Sequence, residues 1–138
     1  AGACKKGELF VGEEDTSKPG MGRVAEFDEN GKLVAVWSDG GKLSAPWGMA
    51  FAPADFGALS GKLLVANFGD GMIAAYDANT REFVDFMRDE KGKPVKIDKI
   101  WGLLFGNGAS LGDANALYYA AGPDDEKDGL FGSLRVAK

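Results

Sequence analysis

The chain has 138 residues, room for one domain, and sets 16 Lys and Arg against 21 Asp and Glu for a net charge of −5. No long basic block is present to neutralise phosphates, which argues against a nucleic-acid partner. Histidine is absent and Cys4 is the only cysteine, which excludes Ser-His-Asp and Cys-His pairs, histidine-dependent zinc sites, an internal disulfide and a CxxC pair.

Glycine contributes 21 residues, about twice the usual share, so many tight turns are expected. No apolar run approaches the roughly 20 residues of a membrane-spanning helix. Ala1, Gly2, Ala3, Cys4, Lys5 and Lys6 carry no apolar signal core, so the sequence reads as soluble as written or as the product of leader removal. Ala-Gly-Ala-Cys is similar to a lipoprotein cleavage box without its upstream apolar stretch, which leaves Cys4 as an ordinary buried or terminal thiol.

In chain order, short apolar, β-branched or aromatic runs bounded by Gly, Asn, Asp or Pro predict strands. The first is Gly7-Glu8-Leu9-Phe10-Val11-Gly12, followed by Arg23-Val24-Ala25-Glu26-Phe27-Asp28 and then Leu33–Trp37. Asp28-Glu29-Asn30-Gly31 between the last two is a hairpin turn, since Asn-Gly tolerates positive φ. Pro46-Trp47-Gly48-Met49-Ala50-Phe51 opens a second unit, and Gly61-Lys62-Leu63-Leu64-Val65-Ala66 repeats the Leu9 strand 54 residues later. Met72-Ile73-Ala74-Ala75-Tyr76-Asp77 then matches Arg23–Asp28, with Asp77-Ala78-Asn79-Thr80 as the next turn. Phe83–Met87 follows in the place of Leu33–Trp37. Helical propensity over Glu82–Arg88 is marginal in length, and the repeat places a strand there. Ile100-Trp101-Gly102-Leu103-Leu104-Phe105 and Asn115-Ala116-Leu117-Tyr118-Tyr119-Ala120 again fall 54 residues after their counterparts.

These runs predict an all-β fold: a partial β-propeller of about two and a half four-stranded blades with a 54-residue period. The single domain 1–138 divides into repeat 1 at about 7–60, repeat 2 at about 61–114 and an incomplete repeat 3 at 115–138. The pattern begins at a Leu-Val strand and stops after a third-strand position near Val136, cutting repeats at both ends. Closed propellers have about four blades or more, so three outcomes are open: further blades of a longer polypeptide, completion by other copies of the chain, or closure as a small barrel or sandwich. The first is the expectation.

The segments Ala45–Phe51, Gly61–Gly71 and Ile73–Asp77 resemble the NHL-type propeller repeat, with its inner Pro-x-Gly strand and its third strand ending in Phe-Asp. With Ile100–Gly108 and Ala121–Leu134 added, the whole chain resembles the carboxy-terminal two-fifths of a family of functionally uncharacterised exported bacterial β-propellers, some with PEP-CTERM-type sorting tails. The resemblance implies a roughly six-bladed ring in full-length members and an exported location (periplasmic, extracellular or cell surface). It transfers no catalytic residue. The earlier blades and any sorting tail are missing from this sequence.

Trp47 and Trp101 stand at equivalent positions before Gly48 and Gly102, where their rings are placed to line a channel mouth and stack on a flat ligand. Packing between neighbouring blades, with glycine giving room, is the competing role. Asn67, Asp70, Asn107 and Asn115 lie at or near strand ends as candidate polar contacts, or as turn formers. Asp124, Glu126 and Asp128, followed by Gly129, place oxygen ligands at alternate positions like the opening of a calcium loop. An EF-hand is excluded because its twelfth position falls on Arg135; a shallower calcium site competes with a solvated acidic loop. Glu13-Glu14-Asp15 is a similar loop in the first repeat. Arg88, Lys91, Lys93, Lys96 and Lys99, interrupted by acids, read as a solvated loop, and no phosphate-binding glycine motif is present.

The leading function is therefore a non-enzymatic binding or scaffold module whose propeller face engages a carbohydrate, a surface polymer or a protein. A calcium-assisted hydrolase or lactonase using Asn67 and Asn107 is the second reading. A structural subunit assembling into a ring or filament is the third.

Overall fold

The computed structural model describes residues 20, 22–37 and 40–137, and places 2–5 and 8–12 as backbone strands. The acidic loop Glu13–Asp15 and the side chain of Cys4 lie outside the described residues. Among the described residues eleven strands make three antiparallel sheets, none closed on itself. The first sheet has the order β1 (Gly2–Lys5), β2 (Glu8–Gly12), β3 (Val24–Asp28), β4 (Leu33–Trp37). The second has β5 (Pro46–Phe51), β6 (Leu63–Asn67), β7 (Ile73–Tyr76), β8 (Phe83–Phe86). In the third, β10 (Leu117–Ala121) lies between β9 (Ile100–Phe105) and β11 (Leu130–Leu134). A 3-10 turn, Gly57–Leu59, stands between β5 and β6.

The chain is all-β, and the 54-residue repeat survives as pairing register. Met49 faces Val65, Ala50 faces Leu64 and Phe51 faces Leu63 across β5 and β6; 54 positions on, Leu103 faces Tyr119, Leu104 faces Tyr118 and Phe105 faces Leu117. Both pairs carry an extra residue at the tryptophan, between Pro46 and Met49 and again between Ile100 and Gly102. Such a bulge re-aims a side chain and sharpens local twist, so the Trp-Gly motif is a backbone feature as well as a sequence one. The hairpin turns also repeat: Asp28 Oδ1 accepts the amides of Asn30 and Lys32, and Asp77 Oδ1 those of Asn79 and Thr80.

One expectation is corrected at the amino end. The pattern of apolar runs starts the first unit at the Leu9 strand, but β1 precedes it and pairs with β2 from Gly2 opposite Val11 to Lys5 opposite Glu8. Gly, Ala and Lys are poor strand formers, so no propensity signal marks β1; the ladder offered by β2 makes the strand.

The sheets are layered so that the second is covered on both sides. All five residues of β6 and all four of β7 are buried, which explains why they read as continuous apolar runs instead of alternating ones. Leu63, Val65, Ala74 and Tyr76 pack with Val24, Trp37 and Leu43 toward the first sheet. Leu64, Ala66, Ile73 and Ala75 pack with Ile100, Leu103, Leu117 and Ala121 toward the third. Leu63 and Leu64 are each fully buried on opposite faces, worth about 2 kcal/mol apiece in area removed from water. The leading strands come closest: β9 packs on β5 and β6, and β5 on β1 and β2.

Candidate functional site

Four of the candidate residues gather at one end of the second and third sheets, where β5 and β9 begin and where β6 and β10 end. Pro46 pairs with Asn67 and Ile100 with Ala121 there. Trp47 is half-buried with its ring 5.5 Å from that of Phe68, at 42°. Lys99 Nζ sits 4.8 Å above the other member of that pair, Phe68, a cation–π arrangement that orients the ammonium at the end of the aromatic cluster. Trp101 stands on the neighbouring strand; Glu126 and its ring both close on Gly122, where a Cβ would lie 2.7 Å from Cζ2 of Trp101 and 3.2 Å from Cα of Glu126. Among the described residues Trp101 Nε1 is the one buried side-chain polar atom without a hydrogen-bond partner.

Asp70 lies in the turn after β6, its Oδ1 accepting the Met72 amide at 2.9 Å. Burial raises its carboxyl above the ordinary carboxylate range, opposed by the Met72 amide, Asn67 and Lys96. Asn67 itself is fully buried and structural: Oδ1 accepts from the Ser44 amide at 3.2 Å and Nδ2 donates to the Lys42 carbonyl at 2.8 Å. It ties the segment entering β5 to the end of β6, and so holds Trp47 in place. Replacing Asn67 with alanine removes both bonds, and chemical denaturation is expected to show a loss of about 1–2 kcal/mol.

Asn107 is not part of this cluster. It follows β9 at the opposite end of the strand, exposed, with Oδ1 accepting the amides of Ala109 and Leu111 as a turn former. Asn115 is exposed too, its Nδ2 bonded to Asp55 Oδ2 at 2.8 Å. Asp124, Glu126 and Asp128 lie in the β10–β11 turn, at the Trp101 end. Asp124, Asp125 and Glu126 all take positive φ, between 52° and 65°, and Glu126 N–H bonds back to the Gly122 carbonyl at 3.0 Å. Among the described residues no three acidic side chains are placed together to hold a metal ion. Arg135, at the position an EF-hand gives to glutamate, instead reaches Asp113 at 3.7 Å and Ser133 Oγ at 2.7 Å.

The basic stretch is engaged in part. Arg88 forks onto Asp85 and also donates to the Gly92 carbonyl, while Asp89 Oδ1 accepts the Lys91 and Lys93 amides. Lys96 lies near Asp70 and Lys99 over Phe68; sequence reasoning did not place Lys99 at the site, nor Phe68. The only available signal was position: Phe68 directly follows Asn67, and Lys99 comes two residues before the second tryptophan. What this end presents is an aromatic surface of Trp47, Phe68 and Trp101 with the Lys99 ammonium over Phe68, the partly buried Asp70 carboxyl with Lys96 near it, and the acidic β10–β11 turn beside Trp101. That is a binding chemistry of stacking plus hydrogen bonds.

No family model matches the chain. It is 38% identical over 117 residues, 85% of its length, to uncharacterized protein L690 of Acanthamoeba polyphaga mimivirus. Uncharacterized protein R648 of the same virus is 37% identical over 115 residues, 83% of the chain. The chain spans 30% and 28% of the lengths of these two relatives.

Proposed function

We propose that the chain is a non-catalytic binding module, three blades of a β-propeller whose Trp47 end engages a carbohydrate ring. The observation that carries this reading is the convergence of Trp47, Phe68, Asp70, Lys99 and Trp101 at one end of two adjacent sheets. An aromatic face stacks on the apolar face of a sugar at small entropic cost, and the cation and carboxyl fix its hydroxyls. The propeller reading is supported by the repeated four-strand order, the shared register and the packing of leading strand on leading strand. The exported location and the kinship with NHL-like bacterial propellers belong to the same proposal.

A glycan array followed by calorimetry tests it. Trp47→Ala is expected to weaken binding by about tenfold or more, as removal of a central aromatic anchor does, whereas Asn107→Ala, at the other end of β9, leaves binding unchanged. Absence of any bound glycan, or equal affinity in the Trp47 variant, would overturn the reading.

A further inference from the structure

We infer that the Trp47 end takes a linear, neutral polysaccharide, with Trp47 and Trp101 as two subsites that hold different pyranose rings of one glycan strand. The inference rests on the binding-module reading above and specifies its ligand as a polymer. The two tryptophans are one structural position occurring twice. Each lies in the bulge that opens a leading strand, between Pro46 and Met49 and between Ile100 and Gly102. Two residues before each, the backbone turns through positive φ, 46° at Ala45 and 52° at Lys99. Neither residue is a glycine, so the same uncommon conformation is held in both units. The carbonyls of these two residues accept amides at 3.0 Å from the position just after the second strand of their sheets, Phe68 in one and Gly122 in the other. One backbone device therefore delivers both indoles to the same end of neighbouring sheets.

Their surroundings are those of a surface. Among the described residues neither indole joins either apolar core, and both are half-buried. Trp47 meets Phe68, and Trp101 meets Gly122 in the β10–β11 turn, each within its own unit. Contact between the sheets is left to the next residue: a Cβ on Gly48 would come within 2.7 Å of the Leu103 amide. The two indoles thus stand on strands that touch main chain to main chain. Lys99 spans the two units, since it precedes Trp101 in the chain and sets its ammonium 4.8 Å from the Phe68 ring that lines Trp47.

A single pyranose covers a single indole. Two indoles repeated at one register suit a strand that itself repeats, because the second ring stacks without a second loss of translational freedom. The subsites are unequal. Trp47 has a second aromatic wall in Phe68, whereas the same position beside Trp101 is Gly122 and supplies none. Charges of both signs border the pair, Lys96 and Lys99 against Asp70 and the acidic turn. A polyanion gains nothing net from such a border, and a neutral sugar loses nothing.

Nitrogen-15 NMR of the chain's indole N–H groups tests the inference. There are three tryptophans, and Trp37, committed to Glu26, is the internal control. The probes are glucose, N-acetylglucosamine, mannose and galactose, their linear β-1,4-linked dimers to hexamers, and oligogalacturonate as the charged comparison. One neutral series is expected to bind at least about tenfold more tightly as an oligomer than as the single sugar. That oligomer shifts the Trp47 and Trp101 resonances along one shared binding curve and leaves Trp37 unmoved, while the single sugar shifts Trp47 alone. Trp101→Ala is expected to abolish the dependence on length, and the wild-type titrations decide the matter even where that variant folds poorly. Equal affinity for single sugar and hexamer, separate curves for Trp47 and Trp101, tighter binding of oligogalacturonate, or no response to any of these probes would overturn the inference. Binding of any other glycan on the array would still uphold the binding-module reading, and an array without a bound glycan would remove both.

Discussion

Gly48→Ala is expected to cost about 3 kcal/mol, at the upper end for forcing one extra methyl into a packed interior, while Gly102→Ala costs less than about 0.5 kcal/mol, as surface changes do. The two residues occupy one position of the repeat, and neither is held there by an unusual φ. The difference is in what lies opposite. At Gly48 the obstacle is main chain, the Trp101 carbonyl and the Leu103 amide, which no rotamer change can move; the second and third sheets would have to separate along β5 and β9. That would loosen the packing of Leu64, Ile73, Ile100 and Leu117. At Gly102 the methyl enters open space. Urea titrations of the two variants against wild type compare them. The expected result is a lower midpoint with unchanged slope for Gly48→Ala only. Equal midpoints for the two variants would show that β5 and β9 do not approach backbone to backbone.

The repeat made much of this architecture readable. Strands β5 and β9, and β6 and β10, begin 54 residues apart in sequence and carry matching registers in space. The aspartates at 28 and 77 announced the turns they cap. Strand β1 was not readable because its residues have no strand preference and its existence depends on a partner. Within the candidate site, type and spacing gave Trp47 and Trp101 but did not separate Asn67 from Asn107. Both are asparagines near strand ends, yet one is a buried tie between two backbone segments and the other an exposed turn former. That distinction depends on which loop passes overhead, and sequence adjacency does not carry it. Lys99 reaches Phe68 only because the loop before β9 folds back past the end of β6, with the Ile97 amide bonded to the Gly71 carbonyl at 2.9 Å.

The largest polar effect was equally hidden, because it joins residues 55 positions apart. Glu26 is 1% exposed in the middle of β3, and the guanidinium of Arg81 forks onto it from the β7–β8 turn, Nε to Oε2 at 2.6 Å and the second nitrogen to Oε1 at 3.0 Å. Trp37 Nε1 donates to Oε2 at 3.0 Å. Arg81 takes φ of 63°, uncommon for a side chain of its size, in a turn fixed by its amide bond to the Asp77 carbonyl and by the Asp77 carboxylate. Arg81→Ala strands a buried carboxylate. Because the arginine itself is partly solvated, the expected loss is about 2–3 kcal/mol, somewhat below that for a wholly buried pair. The bond from Arg81, then that from Trp37, hold the Glu26 carboxyl below its ordinary 4.5 against the opposing effect of burial. A carboxyl lowered in the folded state binds fewer protons there than in the unfolded chain, so its contribution is full above pH 4.5 and is lost as pH falls through the lowered value. Asp70, raised by burial, has the opposite sign and is common to every variant compared. Melting temperatures of wild type and Glu26→Gln measured from neutral pH into acid separate the two: the wild-type advantage is expected to narrow steadily below pH 4.5, since glutamine cannot titrate. A gap that stays constant with pH would show that the first and second sheets are joined here by shape and neutral hydrogen bonds, with no part played by the charge on Glu26.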